Sequence, residues 1–192
     1  MAKNRKKELL DLARKLFIEK GYDNVSIDEI IKKAKMAKGT FYYYFKSKDE
    51  LLDIVINDMI EHKIESAKEY VDAEIPVEKK FIEIITSLSN DDTGLIKALS
   101  QDSNAKMHVK YSEQIIVAAT SLLKKVVNEG NKKAIFHCNH VEERIKMILI
   151  LGSKLFEDQN YAENDIDVFI DIVEKTLGAK KGTMNFVKDR VK

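Results

Sequence analysis

The chain is poor in the residues that break helices or staple loops. It has one proline, Pro76, seven glycines in 192 residues, one cysteine, Cys138, and no tryptophan. So few breakers leave long stretches free to be helical. A lone cysteine excludes an internal disulfide and fits a reducing, cytoplasmic interior. Long apolar runs are missing too. The longest, Met147 to Leu151, falls far short of the roughly 20 residues that a membrane crossing needs. The basic start, MAKNRKKELLDLARK, is interrupted by Asp11 and Arg14, so it does not read as a signal peptide. No alternating apolar–polar stretch, repeat or low-complexity segment survives inspection, and the expected fold is all-α. Gly-x-Ser-x-Gly, a glycine-rich phosphate loop and His-Glu-x-x-His are all missing. No enzyme, cofactor or metal site is therefore expected.

Charge is nearly balanced but unevenly placed. Residues 1–50 hold 13 Lys/Arg against 8 Asp/Glu, a net of +5, and the remainder holds 20 against 24, a net of −4. A basic end on a mildly acidic body suggests that the first end meets a polyanion. The plainer reading is scatter on a solvated surface.

What is present centres on SIDEIIKKAKMAKGTFYYYFKSKDEL, Ser26 to Leu51. Ser26 and Glu29 have capping-box spacing and open a helix. Ile27, Ile30 and Ile31 give it an apolar stripe, with Lys32 and Lys33 facing away. Ala34-Lys35-Met36 is a break. Ala37 to Tyr44 reads as a second short helix with Phe41 and Phe45 on one face. Ser47 and Glu50 then open a third. Two short helices joined by a three-residue turn match the helix-turn-helix pattern, whose second helix enters the DNA major groove.

AKMAKGTFYYYFKSKDEL resembles the signature of TetR/AcrR-family bacterial transcriptional repressors, roughly Ala-Gly-Val-Ser-x-Gly-Thr-x-Tyr-x-Tyr-Phe-x-Ser-Lys-x-x-Leu. Ala13, Leu16, Phe17, Gly21 and Tyr22 also fit that family's first helix. The resemblance covers about the first quarter of the chain and carries only an architecture beyond it. Lys35 stands where the family usually has Gly. Ala37 stands where it usually has the Ser that caps the recognition helix. A lysine in a left-handed turn costs roughly 1–2 kcal/mol, and a lost cap about 1 kcal/mol.

The resemblance implies an N-terminal helix-turn-helix DNA-binding domain over residues 1–48. A long helix would join it to a helical ligand-binding and dimerisation domain over 49–192. It implies a repressor that binds a palindromic double-stranded operator as a homodimer and is released by a small-molecule effector. Carried over position by position, Lys38, Tyr42 and Tyr43 are candidates for base edges, beside Gly39. Ser26, Thr40, Tyr44 and Lys48 are candidates for phosphates. Consecutive helical residues point about 100° apart, so Tyr42, Tyr43 and Tyr44 cannot all share one buried face. They could otherwise all be packing.

Along the chain, Lys3, Arg5, Lys6 and Lys7 form a basic arm, either along phosphates or frayed. A helix follows with Leu9, Leu12, Ala13, Leu16 and Phe17 on one stripe, ended by Gly21. Further helices are expected over about 48–70, serving as one rigid strut, and over 77–89 after Pro76. A polar turn over 90–94 leads to a short helix with Leu95, Ile96 and Leu99. The next helix starts at Ala105 or Ser112 and stops at Gly130. Another starts from Asn139 and Glu142 and runs to about 158. The last is capped by Asn164 and ends at Gly178, before a partly helical tail.

The last two helices carry two apolar stripes each. Ile145, Ile148, Gly152 and Leu155, with Phe169, Ile170 and Val173, are the expected dimer interface, as the family pairs through its last two long helices. Met147, Leu151 and Phe156 point elsewhere, and Val168 and Ile172 lie beside the last helix's stripe. The plainer reading makes both helices central to their own bundle. Met59, Phe81, Ile85, Met107, Tyr111, Ile115 and Met147 are candidate effector-pocket residues, with plain core as the alternative. His137, Cys138 and His140 form a His-Cys-x-His cluster that could sense metal or redox state, or be an ordinary polar loop. A helical protein-interaction or metal- or redox-sensing module, its basic end incidental, is the competing reading of the whole chain.

Overall fold

Every regular element of the computed structural model is helical among the residues it describes, 2–89, 101–156 and 162–190. In chain order they are α1 (Ala2–Lys20), α2 (Ile27–Lys33), α3 (Lys38–Tyr44), α4 (Lys48–Asp72) and α5 (Val77–Ser89). A 3-10 turn, Asp102–Asn104, leads into α6 (Ala105–Lys132). Then come α7 (Val141–Phe156), α8 (Glu163–Leu177) and a 3-10 stretch, Asn185–Arg190. The polar turn and short helix expected over 90–99 lie outside the described residues. By packing, the chain forms two units: Met1–His62 with Asp91–Gln114, and Lys63–Asn90 with Ile115–Lys192. The boundary expected near residue 48 falls on the start of α4, whereas packing divides the chain within α4 and again within α6.

The first unit is organised by the apolar faces of α1 to α4. Leu9, Ala13, Leu16 and Phe17 from α1 are buried, as are Ile30, Ile31, Phe41, Phe45, Leu51, Leu52, Val55 and Ile56. The basic start is part of α1 rather than a separate arm: Arg5 pairs with Glu8, and Lys6 Nζ sits over the Phe45 ring at 5.6 Å. Gly21 ends α1 with φ +86°, and an added Cβ would fall 2.1 Å from Ser103 Oγ. The chain that follows is pinned to the turn before α6. Tyr22 N–H donates to Asn104 Oδ1 at 2.7 Å, and Asp23 N–H to the Ser103 carbonyl at 3.1 Å. Tyr22 Oη donates to Asp49 at 2.6 Å. Lys106 also pairs with Asp49, and Lys110 with Asp53.

The second unit has one core, including Val77, Phe81, Ile84, Leu123, Val126, Phe136, Ile145, Ile170 and Leu177. Its buried charges are satisfied. Lys80 Nζ donates to the Val71 carbonyl at 2.9 Å and to Glu129 Oε2 at 3.0 Å. The Glu174 carboxylate accepts N–H bonds from Gly182 at 2.9 Å and Met184 at 2.7 Å, tying the tail to α8. Gly130 does not stop α6, which runs on to Lys132. An added Cβ there would fall 2.1 Å from Phe136 Cδ2, so this glycine admits a ring instead of ending a helix. Asn164 does not cap α8, which begins one residue earlier. Asp165 takes the Ala162 N–H at 2.8 Å from inside the first turn. Asn139 does not open α7, which begins at Val141.

Candidate nucleic-acid interface

The turn between α2 and α3 is built by two bonds. Lys35 N–H donates to the Lys32 carbonyl at 3.2 Å and Met36 N–H to the Ile31 carbonyl at 3.1 Å. This is a Schellman closure, and it needs a left-handed residue next to last. Lys35 supplies it at φ +50°, as its glycine-like position in the sequence pattern predicts. At the other end of α2, Ser26 Oγ accepts the Glu29 N–H at 3.1 Å. The carboxylate of Glu29 does not complete the box. It pairs with Lys20 at 2.6 Å and with Lys33 at 3.9 Å, and the hydrogen bond from Lys20 holds its pKa below the usual carboxylate range. Ala37, before α3, makes no side-chain cap, as expected for its methyl group.

The helix α3 is anchored by one face and displayed by the rest. Phe41 is fully buried against Phe45 at 5.7 Å between ring centroids. Tyr43 is 79% exposed and Tyr42 47%. Tyr44 is half-buried, its ring edge-on to Tyr43 at 5.1 Å. Gly39 is exposed, and a Cβ there would meet nothing within 4 Å. Thr40 is half-buried. Lys38, exposed, pairs with Asp28 at 3.2 Å. Lys48 is half-buried: its Nζ lies over the Tyr22 ring at 4.1 Å, and burial lowers its pKa despite Asp23 and Asp49. Lys35 and Lys46, both exposed, carry charge on the same chain segment. Sequence reading missed Asp28. No local pattern links residues 28 and 38, and only the packing of α2 on α3 brings them together.

The other predicted sites fare differently. Ile145, Ile148, Ile170 and Val173 are buried in the second unit's own core. Gly152, Leu155 and Phe169 are half-buried, and a Cβ on Gly152 would already lie 3.1 Å from Phe169 Cζ. Ile145, Ile148, Ile170 and Val173 therefore belong to the protomer's own core, while Gly152, Leu155 and Phe169 keep part of their surface. The second stripe is exposed instead: Met147, Ile150 and Leu151 on α7, Val168 and Ile172 on α8. The pocket set also divides. Met59, Met107 and Tyr111 are buried in the first unit, and Phe81 in the second, where Ile85 and Ile115 pack against the core. Met147 is 67% exposed and stands outside its unit's buried core. Two depressions are open surface grooves, one along α4 from Glu65 to Asp72, the other between Lys6, Lys7, Leu10 and the Ile54–His62 stretch of α4.

The His-Cys-x-His loop is held for structural reasons. Asn131 brackets Cys138, accepting its N–H at 2.9 Å and donating to its carbonyl at 2.8 Å. The thiol is buried, and burial raises its pKa. The His137 ring meets the Gly178 carbonyl at 3.2 Å, and His140 is exposed. The three side chains do not converge. Among the described residues, no three His, Cys, Asp or Glu gather where a metal could sit. Among those residues, too, no helix is long and apolar enough to cross a membrane.

Three packed helices, a closed turn and a second helix showing lysine, glycine and tyrosine to solvent define a helix-turn-helix protein. Residues 9–55 match the model of the bacterial regulatory proteins of the tetR family. The uncharacterized HTH-type regulator YuxN of Bacillus subtilis (strain 168) is 46% identical over 55 residues, 29% of this chain and 19% of that protein. The chain spans about a fifth to a third of the curated relatives it matches first, between 19% and 31% of their length. Over nearly the whole chain the likeness is one of fold. A TetR-family regulator from Syntrophomonas wolfei superposes with a TM-score of 0.64 at 22% identity, covering 95% of this chain and 100% of that one. The fatty acid degradation regulator FadR from Bacillus halodurans gives 0.65 at 18%, covering 92% and 96%. The first quarter of the chain is thus similar to the bacterial regulatory proteins of the tetR family, and the remainder shares the fold of these solved structures.

Proposed function

We propose that the protein is a cytoplasmic DNA-binding repressor that grips a palindromic operator as a homodimer and lets go when a small-molecule effector binds. The observation that carries the reading is α3. Its buried Phe41 fixes the helix while Lys38, Gly39, Tyr42 and Tyr43 stay exposed within the first 50 residues, whose net charge is +5. An ammonium at the start of such a helix can donate to guanine O6 and N7, and a tyrosine ring can touch a thymine methyl. Thr40, Tyr44, Ser26 and Lys48 are assigned to phosphate contact, with exposed Lys35 and Lys46 adding charge. The unused N–H groups at the start of α4 suit a phosphate as well.

A single copy reads one half-site, and helix-turn-helix dimers read two, about 34–36 Å or a multiple apart. The exposed stripe of Met147, Ile150, Leu151, Val168 and Ile172 supplies an apolar face for a second copy. Release requires an effector that prefers one conformation over the other, or nothing shifts. The available conduits are α4 and α6, each running unbroken from one unit into the other.

Selection of bound duplexes from a random pool tests the reading. The expected result is a two-fold symmetric consensus whose binding falls steeply with salt, roughly 0.9 in log–log slope per neutralised phosphate. Absence of any enriched sequence would overturn it. A symmetric consensus with half-sites at another spacing would keep DNA reading and reject the dimer geometry.

A further inference from the structure

Lys38 is the first residue of α3, where the partial positive end of a helix repels an ammonium. Its partner is Asp28, ten residues earlier in the first turn of α2, at 3.2 Å. As an acid in the first turn of α2 that carboxylate suits the helix's partial positive end, but it is neither the cap nor part of the core. Ser26 caps α2, Glu29 holds Lys20 and Lys33, and Asp28 is itself 78% exposed at its side chain. A negative charge on a surface that meets phosphates weakens binding to every duplex. Its placement beside the lysine expected to read a base gives it a second place to act, at the DNA surface.

The chemistry of one base pair supplies it. In the major groove a G·C pair shows the guanine O6 and N7 acceptors next to the cytosine N4 amine donor. An ammonium and a carboxylate 3.2 Å apart present the complementary donor and acceptor. We propose that Lys38 and Asp28 together read one G·C pair in each half-site, Lys38 on guanine and Asp28 on the cytosine amine. This rests on the DNA-binding reading above. At A·T or C·G read in the same orientation Asp28 faces thymine O4 or guanine O6, both acceptors, while T·A keeps a donor for Asp28 in adenine N6 but offers Lys38 only thymine O4. If Lys38 turns instead to a phosphate, it leaves an unpaired carboxylate beside the DNA backbone. The pair thus favours its own base pair and disfavours non-specific binding.

The test uses the full chain, its selected consensus, the same duplex with that G·C replaced by A·T, and a scrambled duplex, across a salt series. Wild type is expected to prefer G·C over A·T at one position per half-site. In Asp28→Ala that preference falls several-fold, scrambled DNA binds more tightly, and the salt slope on scrambled DNA steepens by about 0.9 per subunit. Asp28→Glu, which keeps the carboxylate, retains most of the wild-type preference. In a Lys38→Ala background, Asp28→Ala no longer changes the preference. Helical circular dichroism of each variant reports whether it folds, and Asp28→Ser replaces Asp28→Ala if the latter does not.

Equal weakening of all three duplexes by Asp28→Ala would overturn the inference, since a structural role does that. An unchanged G·C preference would overturn it too. An equal effect of Asp28→Ala with and without Lys38 would show bulk charge alone and also refute the pair. Each of these leaves DNA binding standing. A wild type that selects no sequence removes the parent reading and this one together.

Discussion

Gly39 separates what is good for folding from what is good for reading DNA. It lies in the first turn of α3, exposed, with open space where a Cβ would go. Glycine inside a helix is about 0.5–1 kcal/mol worse than alanine. Gly39→Ala should therefore raise the urea midpoint, by up to about that energy. If the bare backbone lies against DNA, the same methyl should weaken operator binding. Joint measurement of melts and affinity decides it: a gain in stability with unchanged affinity would place Gly39 off the interface. Lys35 shows how far a single residue could be read in advance. Its left-handed conformation was legible because the pattern aligns it with a glycine, and the Schellman closure explains why that conformation is required. Lys48 was legible only by position. That its ammonium would lie over Tyr22 depends on α1 and α4 meeting, which no local spacing states.

At the scale of elements, the seam formed by Tyr22, Asp49, Asn104 and Lys106 ties the helix-turn-helix to the start of α6 within the first unit. Asp49 accepts hydrogen bonds from Lys106 and then from Tyr22, and these hold its pKa below the usual carboxylate range. A carboxylate depressed in the folded state stabilises fully above its unfolded value, about 3.9. That contribution is lost as pH falls through the lower folded value. Wild type should thus lose more stability than Asp49→Asn between pH 6 and pH 3, read from urea midpoints. Parallel losses would mean that the seam does not titrate as a unit. Helix ends were legible where chemistry marks them. Pro76 sets the start of α5, Gly178 closes α8 at φ +64°, and Ser26 caps α2. They were misread where glycine or asparagine had another role. Gly130 admits the Phe136 ring, and Asn164 lies one position inside a turn already served by Asp165.

For the whole molecule, the informative elements are α7 and α8. The sequence shows two apolar stripes on each helix, and periodicity alone does not say which stripe faces the protomer's own core. Packing assigns the Ile145–Ile148 stripe inward and leaves Met147, Ile150 and Leu151 outside, beside Val168 and Ile172 on α8. Gly152→Trp would press on the Phe169 ring, 3.1 Å from the new Cβ, and should lower the urea midpoint of the protomer itself. Leu151→Asp with Val168→Asp should leave the fold intact and give a monomer in sedimentation. Operator affinity should then fall by at least about tenfold, because each half-site must be bound separately. A double variant that still sediments as a dimer would move the interface elsewhere.

The bond from Tyr22 to Asn104 spans 82 residues of chain. A ribosome adds about 5–20 residues per second, so Asn104 follows Tyr22 by roughly 4–16 seconds. During that interval the nascent DNA-reading helices have emerged without the segment that satisfies the Tyr22 amide and fills the space beside Gly21. Translation arrested before residue 104 would release a head that holds every candidate base-reading residue but lacks one of the two stretches its own unit is made from. Stopping codons in that window and stopping codons after it should therefore have different consequences for the cell: the first kind yields a poorly supported fragment suited to degradation, whereas only the second yields a finished reading head.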